Sequence, residues 1–340
     1  MKKSLRLLAA ATLALAAALA PSNATAADNP ATTSTRATWS KACPVSLDLE
    51  IHELYVKEIM KTTDPDAHYY VSYLEKNLYK EYGYDDDDKL AEEDEKWMKE
   101  MAASYEMDMS EFIDQMTYQG DNTDFQAGLL PDHDYIIWLH GIDDEGACDT
   151  EIKRVEFHTK PVQPIDNKIA LTAERTADGV KVTITPDDPD RYYTFGSIAK
   201  GNMKDEFTGK DLSIRDYMQY GFSNSLWDYL DANEFDAIFD EMAMKGNFSL
   251  TYGNLEEGVD YYIVAAYLDN EAGINSEISV ISIDGEGNIT GVKGVAADGY
   301  KASAKRVYNV NGTFMGSSTE GLPKGVYIVK DGDKSKKIMK

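Results

Sequence analysis

The sequence predicts a mainly β chain with α-helical insertions: tandem β-sandwiches followed by a small C-terminal β domain. Three observations carry this. The chain repeats itself at a nearly constant offset. Short alternating runs bounded by turn residues fill both copies. A helical stretch interrupts each copy at the same point.

The repeat comes first because it sets the boundaries. Asp64-Pro65-Asp66 returns as Asp188-Pro189-Asp190, 124 residues later, and Tyr69 and Lys76 match Tyr193 and Lys200 in the same register. Further on the offset is 126: Leu129 matches Leu255, Asp134-Tyr135 matches Asp260-Tyr261, Asp143 matches Asp269, Glu145 matches Glu271, and Glu151-Ile152 matches Glu277-Ile278. An ordered series of this kind marks a duplicated module. It places one copy at 39–162 and the other at 166–284.

Each copy opens with two β-like runs, at 45–51 and 54–62 and then at 168–174 and 180–185, where Val180, Val182 and Ile184 alternate with polar residues. Asp-Pro-Asp makes a turn, because Pro presets φ and Asp bonds the local backbone. A third strand follows at 69–74 and 192–198. After the helical stretch come another strand, a long aromatic strand (135–142; 261–268), a Gly-bearing hairpin and a closing strand (152–159; 278–283).

In the first insertion Leu90, Trp97, Met98, Met101 and Tyr105 share one face at helical spacing. Ser110 is placed to cap a short helix bearing Phe112, Ile113 and Met116. In the second, Asn233 is placed to cap a helix with Phe235, Ile238, Phe239 and Met242, and Gly246 marks its exit. These stripes read as packing faces against the sandwich, with a ligand groove as the alternative. The outward faces carry dense carboxylates, and the insertions near 77–116 and 201–245 are expected to carry partner recognition.

The N-terminus has the three parts of a cleavable export signal. Lys2, Lys3 and Arg6 are basic, residues 7–20 are apolar, and Ala24-Thr25-Ala26 precedes a cut before Ala27. The apolar run is too short to span a bilayer, and no transmembrane span is expected in the mature chain. Residues 27–38 read as a flexible start. The 340 residues carry a formal charge of −26, which becomes −29 without the signal, so nucleic acid is excluded as a partner. Residues 289–340 reverse the sign, with ten Lys/Arg against four Asp/Glu, and read as a separate module. The two cysteines, Cys43 and Cys148, suggest one disulfide in an oxidising compartment. Two buried free thiols are the alternative.

The run Leu129-Leu130-Pro131-Asp132-His133-Asp134-Tyr135 resembles the entry to strand F of fibronectin type III domains, members of the fibronectin/immunoglobulin-like class. The pattern Leu-x-Pro-x-x-x-Tyr falls on Leu130, Pro131 and Tyr135, with Asp143-Asp144-Glu145-Gly146 and Phe157-His158-Thr159 similar to that family's last hairpin and exit. The resemblance implies a tyrosine corner at Tyr135 and, in the second copy, at Tyr261, where Glu257 replaces Pro131. It also places Cys43 and Cys148 at one end of the sandwich. The copies exceed an ordinary sandwich by about 40 residues of helix. The C-terminal piece resembles the sorting domain of type IX secretion substrates, through Tyr308-Asn309-Val310-Asn311-Gly312, Leu322-Pro323-Lys324-Gly325-Val326-Tyr327 and a basic last strand. That resemblance implies a sorting motif at Gly325, Tyr327, Lys336 and Lys337, and export machinery as a partner.

No catalytic constellation emerges. All five histidines (His52, His68, His133, His140, His158) lie in the first copy, Ser223 and Ser225 lack a nucleophile elbow, and neither cysteine sits in a protease pattern. Asp85–Asp88 lack calcium-loop spacing and suit a helix N-terminus instead. Asp64-x-Asp66-x-His68 reads as a turn before a metal site. No cofactor is expected. The sequence therefore points to a non-catalytic secreted or cell-surface binding or adhesion protein for an extracellular protein or glycan. An extracellular hydrolase with an unrecognised acidic site and a structural spacer are the alternatives.

Overall fold

The computed structural model describes residue 39, residues 41–295 except 206, 207 and 254, and 306–309, 314–316, 326–331 and 334–339. The signal at 1–26, the segment 27–38 and Gly325 lie outside the described residues.

The first module is a two-sheet sandwich. One sheet runs β1 (Val45–Ile51), β2 (Val56–Thr62), β5 (Asn122–Gln126). The other runs β4 (Tyr118–Gln119), β3 (His68–Glu75), β6 (Asp134–Gly141), β7 (Lys153–His158), with antiparallel pairing throughout. Val45, Val56 and Met60 from one sheet meet Tyr69, Val71, Tyr135, Ile137 and Leu139 from the other. Three helices, α1 (Lys76–Glu81), α2 (Asp87–Ser104) and α3 (Met109–Met116), enter between β3 and β4 and roof the outer face. Trp97, Met98, Met101, Phe112 and Ile113 pack there on Tyr70 and Ile142. Leu90 packs on Ile136 and Trp138. Strand β6 is thus buried on both faces, which is why it reads as an unbroken apolar run rather than an alternation.

Asp86 caps α2, accepting the Asp88 and Lys89 N–H groups, and Asp87 and Asp88 sit in its positive first turn. Two cap assignments from sequence are corrected. Asp108, not Ser110, caps α3, since it is the residue whose carboxylate reaches the Glu111 N–H at 2.8 Å. Asn233 ends a helix instead of starting one.

The second module repeats the plan. Sheet β8 (Ile169–Thr176), β9 (Gly179–Pro186), β11 (Phe248–Tyr252) faces β10 (Tyr193–Ala199), β12 (Tyr261–Tyr267), β13 (Ile278–Ile283), β14 (Ile289–Val295). An isolated bridge between Tyr193 and Met244 stands where the first module has β4. Helices α4 (Ile214–Ala232) and α5 (Ala237–Met242) enter at the same point as the first insertion. Asn233 takes φ +57 at the C-terminus of α4, the left-handed geometry Asn tolerates. Strand β14 was grouped by charge with the C-terminal piece, but it pairs along β13 and belongs to this sandwich. The C-terminal sheet is β16 (Phe314–Gly316), β15 (Arg306–Asn309), β17 (Val326–Asp331), β18 (Lys334–Met339). No helix among the described residues is long and apolar enough to cross a membrane.

The duplication extends to single hydrogen bonds. Tyr69 Oη–H donates to the Gly120 carbonyl, and Tyr193 Oη–H to the Gly246 carbonyl, each at 3.0 Å. Thr150 Oγ1 accepts the Gly141 N–H, as Ser276 Oγ accepts the Tyr267 N–H. Asp143 closes its hairpin by accepting the N–H groups of Glu145 and Ala147. Asp269 does the same for Glu271 and Gly273, and Asp284 for Glu286 and Asn288.

Candidate functional site

The two sandwiches are not strung loosely. Helix α4 packs on both of them, through one buried stripe that runs from Arg215 to Leu230. Toward its own sandwich, Arg215 donates to the carbonyls of Ile274 and Ser276 at 2.7 and 2.6 Å, and Gln219 Oε1 accepts the Ile274 N–H at 2.8 Å. Toward the first sandwich, the Gly128 N–H donates to the Ser223 carbonyl at 3.1 Å. Gly128 has φ +78, a left-handed geometry that favours glycine, and a Cβ there would lie 2.6 Å from Asn224 Oδ1, so a larger residue would be strained and would push the Asn224 side chain aside. Leu54 and Ala127 of the first sandwich join Phe222, Leu226 and Leu230 of α4 in one apolar cluster. The helix also covers β5, which would otherwise be an open sheet edge.

The tight turn between β1 and β2, closed by His52 N–H to the Tyr55 carbonyl at 3.0 Å, thrusts Glu53 and Leu54 at the second sandwich. The Glu53 N–H donates to Glu271 Oε2 at 3.1 Å. Glu271 also faces His52 Nδ1 at 3.3 Å and Lys160 Nζ at 3.5 Å. Burial depresses the His52 imidazole against the opposing charge of Glu271. Above this polar seam runs an aromatic strip. His52 stacks on Tyr55 at 4.1 Å and 10°, Tyr55 meets Phe125 at 6.2 Å, and Tyr55 meets Phe235 at 5.9 Å across the junction. All four rings are half-buried. Phe235 also lines a depression of about 440 Å³ with Asn233, Glu234, Asp236, Ala237 and Asp240. Aromatic faces beside carboxylates, drawn from both sandwiches, form the candidate contact surface.

The other sequence candidates fall elsewhere. Tyr135 Oη accepts the Leu130 N–H at 2.9 Å in a buried setting, and Tyr261 Oη accepts the Glu256 N–H at 3.3 Å in a more open one. Asp132 (φ +61) and Gly258 (φ +84) both take positive φ in the two corners, so the turn forms with Glu257 in the place of Pro131. The Cys43–Cys148 disulfide is corrected: both thiols are free and buried. Cys43 faces the space between the sheets, whereas Cys148 faces the helical roof, so the sheet separates them. Tyr327 is buried in the C-terminal sheet, while Lys336 and Lys337 are exposed on β18.

The five histidines do not converge. His68 faces Thr117, His133 faces the Pro131 carbonyl, and His158 sits between Asp132 and Asp134. His140 meets Asp94 at 3.0 Å, and Asp94 also accepts the Trp138 indole N–H at 2.9 Å. Burial alone would depress this imidazole. Hydrogen bonds and charge from Asp94, with Cys148 alongside, outweigh it and lift the group to about 10. Asp94, His140 and Cys148 thus meet, but none is more than 6 % exposed, so they form a sealed polar knot beneath α2. Among the described residues no group of three or more His, Cys, Asp or Glu is arranged to hold a metal ion.

No protein-family model matches the sequence, and no curated protein does. Among solved structures the chain is similar to a two-domain fibronectin type III segment of chicken tenascin, at 11% identity and a TM-score of 0.20, over 70% of this chain and 97% of that one. The strand order decides the fold: three strands facing four, with β4, β3, β6 and β7 in one sheet and β1, β2 and β5 in the other. The two sandwiches are fibronectin type III-like. In this fibronectin-like pair the helices of the second insertion are the joint between modules. Sequence reasoning missed Leu54, whose apolar side chain in a two-residue turn was the available signal.

Proposed function

We propose that the chain is an exported, non-catalytic binding protein whose contact surface is the aromatic strip at the junction of its two fibronectin-like sandwiches. The observation that carries this is the strip itself. His52, Tyr55, Phe125 and Phe235 come from both sandwiches and are contiguous only when these are docked. Aromatic rings with partial exposure, rimmed by Glu234, Asp236 and Asp240, supply rigid contact area at low entropic cost. The partner is an extracellular protein or glycan. Export rests on the N-terminal signal, and surface delivery on the basic C-terminal sheet with its sorting-like motif. Helices α1–α3 serve as a roof for the first sandwich, so recognition is assigned to the junction in preference to the first insertion.

The test screens mature protein, residues 27–340, on a glycan array and by pull-down from extracellular fluid. For any partner found, Tyr55→Ala and Phe235→Ala variants with unchanged secondary structure should bind at least about 30-fold more weakly, the loss expected of a buried aromatic anchor. Binding equal to that of the parent chain would overturn the reading. Export is checked separately: secreted protein should have the intact mass of a chain starting at Ala27, and truncation after Val295, which spares β14 and the second sandwich, should abolish surface display.

A further inference from the structure

Two carboxyl groups meet inside the junction, one from each sandwich. Glu53, in the β1–β2 turn, is 8 % exposed, and its Oε2 has no N–H or O–H group to accept from. Asp269 opens the β12–β13 hairpin. Its Oδ1 accepts the N–H groups of Glu271 and Gly273 at 2.9 Å each, which leaves Oδ2 toward Glu53. Gly273 lies between them: a Cβ there would fall 2.4 Å from Glu53 Oε2 and 3.1 Å from Asp269 Oδ2.

The cations nearby are otherwise engaged. Glu271 takes the Glu53 N–H on Oε2, beside His52, and faces Lys160 with Oε1. The guanidinium of Arg215 on α4 is turned to the Ile274 and Ser276 carbonyls. Glu53 is buried and Asp269 half-buried, and two neighbouring carboxylates drawn out of water with no cation between them disfavour the doubly charged state. We infer that Glu53 and Asp269 share one proton, and that the shared proton is a pH-sensitive latch holding the two sandwiches together.

Burial, with the charges of Asp269 and Glu271 behind it, lifts Glu53 to about 9, and burial raises Asp269 as well. The sign follows. The docked state binds a proton that the undocked state, near the ordinary 4.5, releases. Docking is therefore at full strength below about 4.5 and weakens as pH rises toward 9, by up to about tenfold per pH unit for one proton. Above that it falls no further on this account.

The test uses the mature chain and its Glu53→Gln variant, in which an amide N–H replaces the shared proton. Melting midpoints are read from pH 5 to 10, and maximum dimension is read by small-angle scattering. The parent should lose stability more steeply than Glu53→Gln, by one proton's worth of slope, and should lengthen above pH 9 while the variant stays compact. Should Glu53→Gln fail to fold, Asp269→Asn carries the same expectation. Equal slopes and equal dimensions would overturn the latch. So would calcium raising the parent's midpoint at pH 9 but not the variant's, since a cation would then fill the proton's place.

Discussion

Replacing Leu54 by Ala should separate the two sandwiches before it unfolds either. Leu54 is completely buried, yet it belongs to the apolar cluster of α4 and not to the core of its own sandwich. The change deletes three carbons, worth about 0.8 kcal/mol each or roughly 2.4 kcal/mol together. A residual void of roughly 60 Å³ between rigid elements adds about 1.5 kcal/mol, at about 24 cal/mol per Å³. The expected cost is therefore about 4 kcal/mol, drawn from docking. Calorimetry of the mature chain should show the parent sandwiches melting together and Leu54→Ala melting in two steps. Leu171→Ala, in the second sandwich's own core, should lower the midpoint without splitting it. A cost under about 1 kcal/mol, or a single transition shifted as in Leu171→Ala, would refute the reasoning that the junction is a shared core.

Further outcomes follow from other sites. Tyr135→Phe leaves the buried Leu130 N–H without an acceptor and should cost about 1–3 kcal/mol in urea unfolding, whereas Tyr261→Phe, at a longer and more open contact, should cost under about 1 kcal/mol. Glu58 is fully buried, and burial lifts it to about 8 despite the Gln126 amide that donates to it. Its folded value lies above the ordinary 4.5, so stability falls as pH rises from 4.5 to 8, by up to about 1.4 kcal/mol per unit, and Glu58→Gln should flatten that part of the profile. Asp94→Asn removes the negative charge paired with buried His140 and should cost about 3–5 kcal/mol by chemical denaturation. Both thiols should resist alkylation in the folded chain and react fully on unfolding without reductant; failure to label would restore the disulfide.

The sandwiches were legible because period-two alternation and turn chemistry are local. The Asp-Pro-Asp turns and the apolar stripe of α2 could be read residue by residue, whereas the Tyr135 and Tyr261 corners came through the family resemblance. What escaped depends on three-dimensional neighbours. Nothing local distinguishes Cys43, facing one side of a sheet, from Cys148, facing the other, until the helical roof gives the outer side a core of its own. Asn233 fits a helix start and a helix end equally well, and the left-handed turn after Leu230 decides. Glu58 shares the inward parity of Val56 and Met60, a conflict visible in the sequence once the strand register is fixed. The junction was hidden because Glu53 and Glu271 are 218 residues apart and meet only when the whole pair is folded.

The manner of joining also determines how the pair answers tension. Beads on a slack cord give way first by straightening the cord. Here residues 159–168 hold two prolines, bury Val162 and pin the Ile165 N–H to the Asn275 carbonyl at 2.8 Å, so there is little cord to straighten. Pulled from its ends, the pair behaves as a short strut with one built-in breaking plane, the face between the first sandwich and α4. That plane yields before either sandwich unravels, lengthening the molecule in one reversible step and sparing both sheets.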